Sequence, residues 1–138
     1  MNTTIDNIHL ATHLVYTAGN LAYRMRGQGL TIDTKTSISD VVTQADRAAE
    51  EYVTSTLIQQ RPDDSVLGEE GTLRLGESGT RWTIDPVDGT YNFANNFEYW
   101  CSAIAFTEND PTDPVRLRSR ERYLSPSNTV TAGAVYQP

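Results

Sequence analysis

Asp85-Pro86-Val87-Asp88-Gly89-Thr90, entered from the short apolar run Trp82-Thr83-Ile84, is the stretch on which the reading of this chain turns. Pro86 fixes its own φ and biases Asp85 toward extended backbone, so a strand leaves its sheet where the two carboxylates lie. Asp85 and Asp88 can converge on a cation, and the Val87 carbonyl offers a further oxygen. An all-oxygen donor set selects Mg²⁺, Mn²⁺ or Ca²⁺ over zinc. Gly89 lets the backbone turn sharply toward a ligand, and Thr90 supplies a hydroxyl. A Gly-Thr pair can also open a turn or helix whose N–H groups hold an anion. The plain alternative is an Asp-Gly turn in which an aspartate caps a short helix.

Working upstream, Gly68-Glu69-Glu70-Gly71 follows the apolar run Ser65-Val66-Leu67. These glutamates end a short strand at a sheet's edge, where one of them can face the same cations; the alternative is a pair of solvated turn residues. Asp46 stands in Thr43-Gln44-Ala45-Asp46, a capping box built with Asp, and so has a structural task already. Combination with Thr90 adds a chemical one. A carboxylate that accepts from a threonine hydroxyl orients that hydroxyl to take a proton from water.

Composition narrows the setting. A chain of 138 residues, 38% hydrophobic and 21% charged, suits one folded domain with a real core. No segment approaches the ~20 apolar residues of a bilayer span. Met1-Asn2-Thr3-Thr4 lacks a signal peptide's basic-then-apolar layout, so a cytoplasmic protein without membrane partners is expected. The lone Cys101 cannot form an internal disulfide, which agrees with a reducing compartment. Net charge is −7, with 17 acids against 7 bases up to residue 115, and four Arg against one Glu beyond it. So acidic a body argues against nucleic acid as a partner. It would also repel a phosphorylated metabolite unless bound cations reversed the local charge.

Periodicity divides the chain into helices followed by strands. Ile8, Ala11, Val15, Ala18, Ala22 and Met25 form one apolar stripe of a helix over residues 5–26, ended by Gly27 and Gly29. Leu30-Thr31-Ile32 reads as a short extended piece. A second helix starts at the capping box, buries Ala45, Ala48, Ala49, Tyr52, Val53, Thr56 and Leu57, and closes at Pro62. Ser65–Leu67, Trp82–Ile84, Trp100–Phe106 and Val130–Tyr136 read as strands. This order predicts an α+β domain, with two helices packed on a mainly antiparallel sheet.

Lys35, Asp40-Val41-Val42-Thr43-Gln44-Ala45-Asp46, Val66-Leu67-Gly68-Glu69-Glu70-Gly71 and Trp82-Thr83-Ile84-Asp85-Pro86-Val87-Asp88-Gly89-Thr90-Tyr91-Asn92-Phe93 stand in a telling order and spacing. Together they resemble the inositol monophosphatase family of metal-dependent, lithium-sensitive sugar phosphatases. The likeness covers about residues 5–115 and the terminal Ala134-Val135-Tyr136-Gln137-Pro138. It implies the N-terminal part of a layered αβαβα fold. Glu69, Asp85 and the Val87 carbonyl would hold a first Mg²⁺, for which Mn²⁺ could substitute. Asp85 and Asp88 would hold a second ion, with Glu69 helping at a third. Asp46 and Thr90 would activate the attacking water, the N–H groups of Gly89 and Thr90 would grip phosphate, and Glu70 would lend support.

The implied reaction is phosphate monoester hydrolysis of inositol-1-phosphate or a related small sugar or polyol phosphate, with histidinol phosphate as the alternative substrate and a homodimer as the implied assembly. The family continues for a second half of comparable length, which adds another Asp to the second ion and the loops that read the substrate. With Pro138 as the last residue, a non-catalytic form that binds metal and anion is the competing expectation. Residues 1–138 form a single domain on this reading, with 116–129 as an atypical Arg-rich insertion between two strands. Arg116, Arg118, Arg120 and Arg122 alternate there, as an anion-binding edge or as a solvated arm that discourages edge pairing.

Three further features carry two readings each. His9 and His13 lie one helical turn apart but lack the Glu of a zinc-protease motif between them, so a surface or packing role is the simpler one. Tyr91, Phe93, Phe97, Tyr99 and Trp100 could stack on a ligand or fill the core. Cys101 reads as a buried strand residue, with no basic neighbour in sequence to activate it.

Overall fold

A computed structural model describes residues 3–29, 32–34, 41–108 and 130–138. Helix α1 spans Thr3–Gly27 and α2 spans Gln44–Gln60. Between them, β1 (Ile32–Thr34) pairs antiparallel with β2 (Val41–Thr43). The main sheet is built from β3 (Ser65–Gly68), β4 (Leu73–Arg74), β5 (Thr80–Asp88), β6 (Cys101–Glu108) and β7 (Ala132–Tyr136), in the order β4-β3-β5-β6-β7. A third helix, α3 (Thr90–Ala94), joins β5 to the approach of β6. The expected layout of helices on a mainly antiparallel sheet is therefore present, with two refinements. A third short helix adds to the two expected, and β3 pairs with β5 in parallel.

The local reasons are largely those legible in the chain. At the start of α2 the Thr43 hydroxyl accepts from the Asp46 N–H, while the Asp46 carboxylate accepts from the Thr43 N–H, so the box satisfies amides that would otherwise be orphaned. The buried face of α2 is Ala45, Asp46, Ala49, Glu50, Val53 and Leu57, whereas Ala48, Tyr52 and Thr56 lie at its half-buried margins. On α1 the expected Ala11, Val15, Ala18 and Ala22 are buried and Met25 packs against the core, but the buried face is wider than the expected stripe. Asn7, Leu10 and Leu14 are buried, and Ile8 is exposed. Each small Ala at 11, 18 and 22 lets the helix approach its neighbours closely, and Leu10 and Leu14 provide the bulk.

Both long helices pack on the sheet, and one core joins them. It includes Leu14, Val53, Leu57, Trp82, Ile84, Phe93, Ile104 and Phe106. Fully burying an aliphatic or aromatic side chain of this size contributes about 1.5–3 kcal/mol. Trp82 and Phe106 meet at 5.2 Å between ring centroids, and the indole N–H of Trp82 donates to Asp64 Oδ2 at 2.8 Å. The buried Asp64 also accepts from the Ser78 hydroxyl, so its burial is matched by partners. Strand β6 begins at Cys101, one residue later than expected, because Trp100 turns into the core against Phe93. Leu30, Thr31, Lys35, Asp40 and the Arg116–Arg122 segment lie outside the described residues. Among those described, no helix is long and apolar enough to cross a membrane.

Candidate active site

Asp85 and Asp88 are three residues apart, a spacing that sends side chains to opposite faces of a regular strand. The β5–β6 ladder shows why that rule fails here. Asp85 pairs with Ala103 and Asp88 with Cys101, so three steps on β5 match two on β6. Pro86, which has no N–H to give a ladder, lies inside this bulge and is buried. The extra residue brings both carboxylates to bear on one region, and the charge of Asp88 acts directly on Asp85.

Glu69 arrives from the neighbouring strand. β3 runs parallel to β5 with Gly68 opposite Ile84, and the Glu69 N–H donates to the Ile84 carbonyl at 3.2 Å. The carboxyl ends of the two parallel strands therefore place Glu69 beside Asp85, and their carboxyls share a hydrogen bond. Burial, this hydrogen bond and the charges of Glu69, Asp88 and Asp46 push the Asp85 carboxyl up to about 8, so Asp85 holds its proton at neutral pH. Among the described residues, no three His, Cys, Asp or Glu side chains are gathered into a ready metal cage. What stands beside Asp85 is Glu69, with the charges of Asp88 and Asp46 also acting on Asp85. A divalent cation fits this donor set. All the donors are hard oxygens, and a cation can replace the proton on Asp85 and offset the crowded negative charge.

Asp46 reaches the same region from the first turn of α2. Its Oδ2 accepts from the Thr43 hydroxyl at 2.5 Å and from the Thr43 N–H at 3.1 Å. Its Oδ1 accepts from the Thr90 hydroxyl at 2.7 Å. Thr90 Oγ1 also lies 3.1 Å from the Val87 carbonyl oxygen. Burial raises the Asp46 carboxyl from its ordinary range, and the Thr43 and Thr90 hydrogen bonds pull it back in part. Gly89, at φ 88°, is the N-cap of α3 and brings no side chain to cap it. A Cβ there would stand 3.0 Å from the Tyr99 carbonyl oxygen, so the turn needs glycine for both conformation and space.

A sequence profile described as the inositol monophosphatase family matches residues 5–112. The chain belongs to this family. It is 42% identical over 104 residues to a histidinol-phosphatase of Mycobacterium tuberculosis, covering 75% of this chain and 40% of that protein. It is 34% identical over 109 residues to an inositol-1-monophosphatase of Bacillus subtilis, covering 78% and 40%. In three dimensions it resembles the extragenic suppressor protein suhB from Bartonella henselae, at a TM-score of 0.76 and 28% identity, over 96% of this chain and 45% of that one. The chain thus spans about two fifths of the length of the curated relatives it matches.

Other residues of this inositol monophosphatase family member fall less simply. Glu70 borders a groove of about 270 Å³ on the outer side of α2, together with Arg47, Glu51, Thr54 and Ile58. Of the five aromatics, Phe93 and Trp100 stack edge-on at 4.7 Å in the core, whereas Tyr91, Phe97 and Tyr99 are exposed. His9 and His13 are both exposed on α1. Cys101 is half-buried, with Sγ 4.0 Å from Asp88 Oδ2, and burial followed by Asp88 and Asp85 pushes its thiol up. Two residues near the site escaped the sequence reading. Arg26 lies over the rings of Tyr23, Phe93 and Trp100 and donates to the Phe97 carbonyl at 3.0 Å. Glu50, buried on α2, accepts from backbone of the turn that carries Glu69. Its position one turn after Asp46 on the same face was the available signal.

Proposed function

We propose that this domain carries the N-terminal portion of a Mg²⁺-dependent phosphate monoesterase acting on a small phosphorylated metabolite in the cytoplasm. The observation that supports it most is the Thr90–Asp46 hydrogen bond beside the Glu69–Asp85 pair: an oriented hydroxyl next to a cation-ready anionic cluster. Glu69, Asp85 and the Val87 carbonyl, with Asp88 beside them, are the groups to hold divalent metal. When bound, that metal supplies positive charge to stabilise the phosphate oxygens. Thr90 Oγ1 accepts a proton from the attacking water and passes its own to Asp46 Oδ1. The N–H groups at Gly89 and Thr90 orient the phosphate. Glu70, whose side chain borders the α2 groove, acts as support from outside the pocket.

Two substrates are in view, inositol-1-phosphate or a related polyol phosphate and histidinol phosphate; 42% identity over 104 residues to a histidinol-phosphatase supports testing the second on equal terms. Phosphate release from each, with and without Mg²⁺, is the test. Mg²⁺-dependent release lost in Asp88→Asn supports hydrolysis. Release indifferent to chelation and to Asp88→Asn refutes it. Because the chain spans about two fifths of its curated relatives, binding without turnover is the second reading, and calorimetry showing Mg²⁺ uptake with no phosphate release would select it. A homodimer is proposed on the family resemblance and is checked by light scattering.

A further inference from the structure

Glu50 projects from α2 one helical turn beyond Asp46, and both carboxylates are buried. Asp46 faces Thr90, while Glu50 faces the turn that leaves β3. Glu50 Oε2 accepts from the Glu70 N–H at 2.7 Å, and Oε1 accepts from the Thr72 N–H at 3.1 Å. The same turn is closed by the Gly68 N–H on the Thr72 carbonyl at 2.8 Å, with Gly71 at φ 109°. One carboxylate thus grips both sides of the residues that follow Glu69. Space is made for it by Gly68, where any Cβ would overlap the Glu50 carboxylate. A buried carboxylate is costly without partners, and these two amides are what satisfy it.

We infer that Glu50 is a positioning residue that clamps the Gly68–Thr72 turn so that Glu69 meets Asp85. It touches neither Asp85 nor any reacting atom and acts through the backbone that carries Glu69. The inference rests on the reading of Glu69 and Asp85 as metal ligands. Helix α2 then sets both halves of the site from one rigid element: Asp46 fixes the hydroxyl that handles the proton, and Glu50 fixes the strand end that brings the metal-holding carboxylate. A side chain at position 50 that cannot accept two hydrogen bonds frees the turn and lets Glu69 swing from Asp85.

The test uses the whole 138-residue chain and two probes. Amide hydrogen exchange followed by ¹⁵N–¹H NMR, without metal, reads the clamp, and Mn²⁺ titration followed by electron paramagnetic resonance reads the ligand pair. In the wild-type protein the Glu70 and Thr72 amides are protected. In Glu50→Gln, which keeps the volume but has one accepting oxygen, at least one of these amides should exchange about tenfold faster. Mn²⁺ affinity should fall about fivefold, while protection of the β5–β6 ladder stays unchanged. Glu50→Ala should release both amides, and Glu50→Gln keeps the question open to measurement if the alanine variant fails to fold. Unchanged exchange in Glu50→Gln would overturn the inference, as would loosened amides with undiminished Mn²⁺ affinity. A wild-type chain that takes up no Mn²⁺ would sink the hydrolase reading instead, and the exchange rates alone would then decide whether Glu50 holds the turn.

Discussion

Asp46 and Thr90, 44 positions apart in the chain, are joined by a 2.7 Å hydrogen bond in which the hydroxyl donates to the carboxylate. The bond ties the first turn of α2 to the first residue of α3, across the end of the sheet where Glu69 and Asp85 meet. With its other oxygen held by Thr43, Asp46 is fixed, and its Oδ1 is the nearer of the two acceptors open to the Thr90 hydroxyl.

Removing that hydroxyl should cost rate with little effect on folding. Thr90→Val is expected to lower phosphate release about 10²–10⁴-fold, the range for a positioned proton-transfer group. Thr90→Ser, which keeps the oxygen, should retain most of it. Steady-state kinetics of the two variants check this; equal losses in both would show that the methyl group and not the hydroxyl matters.

Stability without metal should decline toward alkaline pH. The Asp85 carboxyl releases its proton near 8 in the folded chain but near ~3.9 when unfolded, so the folded state binds the proton more tightly in between. The resulting stabilisation is complete below about pH 4 and is lost as pH rises through about 8. Asp46, also raised, adds a contribution of the same sign. Urea midpoints measured from pH 5 to pH 9 in the presence of chelator should therefore fall, and Asp85→Asn should flatten the curve. A midpoint that rises over this interval would contradict the raised Asp85 carboxyl.

Metal should reverse the loss. Cation and proton compete for Asp85, so Mg²⁺ affinity should climb with pH and level off above about 8. At a concentration of 100 times Kd, binding stabilises the fold by ~2.7 kcal/mol, and chelation removes the gain. Asp88→Asn should weaken this shift, and without metal it should raise the unfolding midpoint at neutral pH and above, because it removes a charge that repels Asp85. Thermal denaturation across a Mg²⁺ series at three pH values is sufficient to see it.

Gly89→Ala tests the turn itself. Holding alanine at φ 88° costs roughly 1–2 kcal/mol, and the new Cβ crowds the Tyr99 carbonyl. The urea midpoint should drop accordingly. Inorganic phosphate binding in the presence of Mg²⁺ should fall further than the fold destabilisation explains, because the amides of Gly89 and Thr90 are displaced together.

Much of this arrangement was legible in the chain, for reasons that differ from element to element. The capping box at Thr43–Asp46 is a local signal that needs no tertiary context, and it formed as read. The stripe on α1 held at Ala11, Val15, Ala18 and Ala22 but missed Leu10 and Leu14 and wrongly included Ile8, because packing against the sheet sets how wide the buried face is. The parallel pairing of β3 with β5 was invisible because the intervening β4 hairpin occupies the edge and returns the chain in the same direction. Phe97 and Tyr99 were grouped with Phe93 and Trp100 by residue type, yet only the latter two face inward. Glu50 was passed over, since only its place one turn after Asp46 marked it; the groups it satisfies are backbone amides about twenty residues away, which carry no side-chain signal.

The crowding between Gly68 and Glu50 has a bearing on how this region can vary over time. Any branch added at position 68 collides with the carboxylate from α2, and any shortening at position 50 leaves a hole beside a bare glycine. The two positions should therefore drift as a couple. A larger residue at 68 becomes tolerable only after 50 has shrunk, and descendants that alter one alone should be rare among those that still fold.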